Sequence, residues 1–351
     1  MYAKQPKKML IINILDILRK YTDAEHRLSQ KEILEILETE YGMKADRKAV
    51  KRNLMNLVEF GYDLEYSESI RKNKQGEEEV VFTDWYLERE FTDPELRLLI
   101  DSLLFSKHIP YSQCKELIEK IEGLSNRYFR SKVKHICNLP IDMPENKELF
   151  YTIETLDEAI EKNLQVEFLY CDYGVDKQLH PRLDHTGAPR KYLVNPYQMV
   201  ATNGKYYLIG NFEKYNNISH YRVDHIRDIQ ICDTPAKPQR KIEGMENGLN
   251  LPKHMAEHVY MFSGESRPIV LQTNRGMAGE LIDWFGKSVR FEELEGDTIR
   301  AHVTANLAAM RYWALQYAPF VTVLSPQSLV EQVKEDLKNA IERYGGPTNE
   351  K

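Results

Sequence analysis

At 351 residues, with 42% hydrophobic and 29% charged side chains, the chain has the make-up of a globular protein of two or three domains. No stretch approaches the roughly 20 uninterrupted apolar residues of a membrane span, and four singly spaced cysteines with no CxxC pair argue against a zinc ribbon or a disulfide scaffold. The formal net charge of −6 means that any binding to a polyanion must rest on a local basic face rather than on the chain as a whole.

The first residues are basic, but the apolar run Met9 to Leu18 is broken by Asn13 and Asp16 and lacks a small-residue cleavage site. That points away from a signal peptide and towards a cytoplasmic location. Leu10, Ile11, Ile14, Leu15 and Leu18 recur at helical spacing over residues 7–21. Ser29 with Glu32 three residues on predicts a capping box, and Ile33, Leu34, Ile36 and Leu37 are the stripe of a second helix that stops near Gly42. Asp46 is the expected cap of a third, with Val50, Leu54, Leu57 and Val58 inward and Gly61 at its end. Extended runs at 63–68 and 79–88 flank the polar turn RKNKQGEEE. Three helices and a hairpin with a basic tip predict a winged helix-turn-helix over residues 1–90.

Residues 94–130 read as amphipathic helix of mixed charge, giving a connector or dimer-forming segment at 91–148. A helix from Tyr151 to Lys162 precedes short alternating strands, with an Asn203–Gly204 hairpin signal, in a domain at 149–234. Polar, proline-bearing residues 235–256 read as a linker. The remainder, 257–346, alternates strand and helix as β-α-β-β-α-β and closes on a long helix, a ferredoxin-like pattern. The expected class is α+β, multidomain.

The third helix carries the functional signal. KADRKAVKR holds five basic residues, Lys44, Arg47, Lys48, Lys51 and Arg52, against the single acid Asp46. Arg47, Lys48, Lys51 and Arg52 cluster opposite Val50 and Leu54, the face a recognition helix turns to the major groove. Arg47 and Lys48 are best placed for base edges. Lys51, Arg52 and the hairpin residues Arg71, Lys72 and Lys74 are placed for phosphates, which add affinity but little sequence reading.

Further along, NGKYYLIGNF followed by HYRVDHIRDI resembles the WYL domain of bacterial transcription regulators. Tyr206 stands where the family has tryptophan, Tyr207 and Leu208 match, and Tyr221-Arg222-Val223-Asp224 matches the arginine-containing strand. AIEKNLQVEFLY and VNPYQMV meet the upstream pattern, so the resemblance covers nearly the whole chain. It implies a sensor domain with a small Sm-like or SH3-like barrel that binds nucleic acid or a nucleotide-like effector in a basic, aromatic pocket. On that basis Tyr192, Lys205, Tyr206, Tyr207, His220 and Arg222 are the candidate ligand residues, with Arg190 and Lys191 near the rim. Strand alternation sends Tyr206 and Leu208 one way and Lys205 and Tyr207 the other. Tyr207 with Arg222 is the favoured ligand-facing set.

No nucleophile elbow, phosphate loop or dinucleotide fingerprint occurs, and His180, His185, His220 and His225 have no metal-ligand spacing. The expected protein is therefore not an enzyme, carries no cofactor or metal, and does not engage a membrane. It is expected to be a dimeric, ligand-responsive repressor on a double-stranded operator, associated with the nucleoid. The competing readings are an accessory module gripping single-stranded DNA or RNA through the barrel, and a nucleotide hydrolase with no catalytic constellation behind it.

Overall fold

The computed structural model describes residues 6–72, 78–106, 108–129 and 148–345, and falls into two units, Met1–Glu145 and Asn146–Lys351. Their division places the expected connector in the first unit and the expected linker in the second.

In the first unit, helices α1 (Leu10–Tyr21), α2 (Gln30–Tyr41) and α3 (Arg47–Phe60) form where the apolar spacing predicts them. Ser29 and Glu32 cap α2 reciprocally, each side chain accepting from the other's backbone N–H, and Asp46 Oδ1 accepts from Ala49 N at 2.8 Å to open α3. Gly42 and Gly61 end these helices at φ +60° and +104°, a left-handed conformation that costs other residues strain. Ile14, Ile17, Leu18, Ile33, Leu37, Val50, Leu54 and Leu57 close one core, sealed by the fully buried Trp85. Trp85 comes from β2 (Glu78–Leu87), which pairs antiparallel with β1 (Leu64–Lys72). β1 runs four residues past the sequence pattern, and β2 is shifted by one. Arg71 and Lys72 therefore lie within β1, in register with Glu79 and Glu78, instead of in the turn. Helices α4 (Asp93–Phe105), with a Thr92–Glu95 capping box, and α5 (Tyr111–Glu122) complete the described part of this unit.

In the second unit, α6 (Leu149–Lys162) packs on a sheet of β3 (Leu164–Tyr173), β4 (Leu179–Pro181), β5 (Lys191–Thr202), β6 (Lys205–Phe212), β7 (Ser219–Arg222) and β8 (Ile226–Pro235). The order is β4-β3-β5-β6-β7, and β8 also pairs with β3. β7 and β8 are parted by a 3-10 turn at Val223–His225 that carries the chain from β6 to β3.

The expected linker is not a loose tether. Ile242 and Met245, each 1% exposed, pack with Tyr197, whose hydroxyl donates to the Lys237 carbonyl at 2.8 Å, and α7 (Leu251–Glu257) follows. Two isolated apolar residues bury there without a periodic stripe, so periodicity misses them. Beyond lie β9 (Ser266–Asn274), α8 (Ala278–Phe285), β10 (Arg290–Glu293), β11 (Thr298–Asn306), α9 (Leu307–Gln316), β12 (Thr322–Ser325) and α10 (Gln327–Arg343). Their strands form an antiparallel sheet in the order β10-β11-β9-β12 around a core that includes the fully buried Trp313. The molecule is thus a mixed α/β protein, with three sheets among the described residues. Among the described residues no helix is long and apolar enough to cross a membrane.

Candidate nucleic-acid interface and ligand cavity

Because Val50, Leu54 and Leu57 fix the inward side of α3, its basic residues are left on the outward side. Lys48 and Arg52 are exposed. Others on or near the helix are partly committed. Lys44 sits 3.1 Å from Glu38 Oε1, and Lys51 lies half-buried with Nζ 4.5 Å from the centre of the Phe82 ring. Arg47 Nε donates to Gln30 Oε1 at 3.0 Å, while Gln30 Nε2 donates to the Phe82 carbonyl at 3.2 Å. Arg71 and Lys72 are exposed on β1, and Lys74 lies outside the described residues.

A second site opens in the other unit. Tyr207 on β6 stands directly opposite Arg222 on β7, so both side chains share one sheet face, and Lys205 and His220 join them by the two-residue repeat of a strand. These four line a cavity of about 710 Å³ together with Tyr170, Arg182 and Asn203. Its far wall is the segment Tyr260–Phe262 with Tyr312 and Gln316 from α9. Tyr260 donates to Gln316 Oε1 at 3.0 Å and Asn203 Nδ2 to the Val259 carbonyl at 2.7 Å, fixing that wall to the sheet.

The cavity is less positive than its arginines suggest. Arg222 is held in a two-pronged pair with Asp224, Nε to Oδ1 at 3.1 Å and Nη2 to Oδ2 at 2.6 Å. The Asp224 side chain is 0% exposed and that of Arg222 24%. Arg182 is paired likewise with Asp172, at 2.7 and 3.1 Å. Both arginines are thus balanced by carboxylates, and the Arg222 guanidinium fork already holds one. Burial pushes the Tyr170 hydroxyl up to about 12 and raises that of Tyr207 as well.

Behind His220 stand His254 and His258, with ring centres 4.1 to 5.2 Å apart. His220 Nε2 and His254 Nε2 are 2.8 Å apart, a separation that needs one nitrogen to donate to the other. Burial, then the charge of neighbouring histidines, holds His220 down to about 3 and His254 to about 4, and burial lowers His258. All three are neutral at neutral pH. Among the described residues no group of three or more His, Cys, Asp or Glu side chains is arranged to hold a metal ion.

Two candidate ligand residues fall elsewhere. Tyr192, 5% exposed, is in the aromatic core between Phe168, Phe212 and Tyr221, because β5 turns it inward. Tyr206 is half-buried on the face away from the cavity, where the alternation of β6 puts it with Leu208. Sequence reading also missed members of the site. Tyr260, Met261 and Phe262 form an aromatic-apolar run with no element periodicity, and Asp224 is an acid inside an apolar stretch two residues from an arginine. His254 and His258 stand four apart, a spacing that places two rings on one face of a helix.

Family models match residues 151–231 as a WYL domain and residues 265–341 as a WCX domain. No curated protein matches the chain. Among solved structures, the chain is similar to proteasome accessory factor B/C (PafBC) of Arthrobacter aurescens, at 15% identity and a TM-score of 0.29. That likeness covers 97% of this chain but 49% of the other, so the chain spans about half its length. A CRISPR Cas-related protein is similar at 12% identity and a TM-score of 0.37, covering 98% of this chain and 88% of that one. The chain thus carries a WYL domain followed by a WCX domain.

Proposed function

We propose that the chain is a ligand-responsive, sequence-specific DNA-binding transcription regulator that acts as a homodimeric repressor in the cytoplasm. In this reading α1 to α3 with the β1–β2 hairpin are a winged helix-turn-helix, with α3 entering the major groove. The six-stranded sheet is the Sm-like or SH3-like sensor barrel, and the β10-β11-β9-β12 sheet with its helices is a ferredoxin-like extension. The domain limits follow the sequence reading, 1–90, 91–148, 149–234 and 257–346, with the packed segment 235–256 belonging to the sensor. The chain has no enzymatic role and needs no cofactor.

The single observation that carries the reading is the outward face of α3, where Lys48 and Arg52 are exposed beside Arg47 and Lys51. A homodimer is supported by the exposed Leu98 and Phe105 on α4, since two half-sites are what give a single winged helix adequate specificity. The effector is an anion with an aromatic ring, a nucleotide or a short oligonucleotide, because Tyr207, Tyr260 and Phe262 stand beside Lys205 in one cavity. The same aromatic lining favours a second reading, an accessory module that grips single strands through the sheet.

Selection of duplexes from a random pool, followed by binding assays, separates the two. The double change Arg47→Ala with Lys48→Ala is expected to abolish selective duplex binding while leaving the oligomeric state unchanged. Retained duplex selection, with nucleic-acid binding lost only on Lys205→Ala, would move the case to the accessory module.

A further inference from the structure

Gln30 is the first residue of α2, directly after its cap, yet its amide is turned inward and the residue is 4% exposed. A buried amide is costly unless both its ends are bonded. Both are. Its oxygen accepts from Arg47 Nε at 3.0 Å and its nitrogen donates to the Phe82 carbonyl on β2 at 3.2 Å. Only one orientation of the amide satisfies both, since one partner is a donor and the other an acceptor. Phe82 is also the ring on which Lys51 rests, at 4.5 Å. The start of α2, the start of α3 and the hairpin strand are therefore tied at one point.

The tie constrains what Arg47 can do. An arginine reaches the N7 and O6 acceptors of guanine either through Nε and one terminal nitrogen or through its two terminal nitrogens. With Nε bonded to Gln30, the first approach is closed and the two terminal nitrogens remain to face outward. A side chain anchored at Nε has also given up rotamers that an unanchored arginine loses only on binding, or uses to slip to a neighbouring phosphate.

We propose that Gln30 is a positioning residue that holds Arg47 end-on to a guanine in the major groove and couples that readout to the seat of strand β2. The proposal rests on the DNA-binding reading above and deepens it: it states which base α3 reads and which buried residue sets the geometry.

The test uses the full chain and the duplexes it enriches from a pool randomised over roughly 20 base pairs. Every single-base variant of the enriched site is then titrated with wild type, Gln30→Met, Arg47→Met and the double variant. Arg47→Met is expected to erase discrimination at one G·C pair. Gln30→Met should lower discrimination about fivefold at that same pair, with the other positions and the salt dependence unchanged. In the Arg47→Met background Gln30→Met should lower it no further.

A uniform loss across all base variants in Gln30→Met would show a merely structural role and overturn the proposal, as would unchanged ratios. If Arg47→Met alters no ratio while Lys48→Ala still weakens binding, the proposal falls and the DNA-binding reading stands. If no duplex is enriched, both fall. Should Gln30→Met not fold, Gln30→Glu decides, since it keeps an oxygen for Arg47, now with a negative charge, and replaces the donor to the Phe82 carbonyl by a second acceptor. Preserved ratios with uniformly weaker binding support the proposal, and lost ratios overturn it.

Discussion

On α3 the cations stand at the surface, and their internal contacts are few: an amide for Arg47, a ring for Lys51, a surface glutamate for Lys44. In the cavity of the second unit the arginines are instead locked to carboxylates, and Asp224 is wholly buried beneath Arg222. The same residue type thus has two uses. An exposed arginine keeps donors for an outside partner, whereas a paired one spends its donors on shaping the wall and leaves recognition to neighbours such as Tyr207 and Lys205. Charge counted along the sequence treats both alike; desolvation separates them.

That contrast is easiest to break at Arg222. Arg222→Ala removes the two-pronged arginine from the buried Asp224 carboxylate and should cost about 3–5 kcal/mol of stability, whereas Lys48→Ala should change it by less than about 0.5 kcal/mol. Denaturant titration measures both. Equal small losses would mean that the cavity pair is no more desolvated than the helix face.

The next largest effect concerns the histidine cluster. Folded His220 and His254 titrate near 3 and 4, below the ordinary 6.5, so the unfolded chain binds more protons across that interval. Their contribution to stability is fully present above about 6.5 and is lost as pH falls towards 4, which amounts to about 2 kcal/mol for each of the two between pH 7 and pH 5. His254→Gln should flatten the stability profile in that window, measured by denaturant melts at each pH. An unchanged slope would place the titrating groups elsewhere.

At the helix face the signature is salt. Arg52→Ala should weaken duplex binding and reduce the slope of log affinity against log salt by about 0.9, the share of one phosphate contact. The smallest expected effect sharpens the cavity itself. Tyr207→Leu should weaken binding of a short oligonucleotide by about 1 kcal/mol, the value of one stacked base. Tyr206→Leu, on the opposite face of β6, should leave it unchanged, and isothermal titration distinguishes the two.

The helices of the first unit were readable directly from residue order. Caps such as Ser29, Glu32 and Asp46, stop signals such as Gly42 and Gly61, and the stripe through Val50 and Leu54 act over three or four residues, a range that local sequence contains in full. The alternation of β6, which sets Tyr207 against Tyr206, was legible for the same reason. Tertiary structure alone decided the rest. Whether Arg182 is paired depends on Asp172, brought up by another strand, and Asp224, although only two residues from Arg222, is set against it by the turn at Val223–His225. The burial of Tyr192, the seat of the supposed linker on Tyr197, and the meeting of His220 with His254 across 34 residues arise from sheet pairing and packing. A side chain's freedom to bind a partner is set by what has already claimed its donors, and that depends on residues the sequence keeps apart.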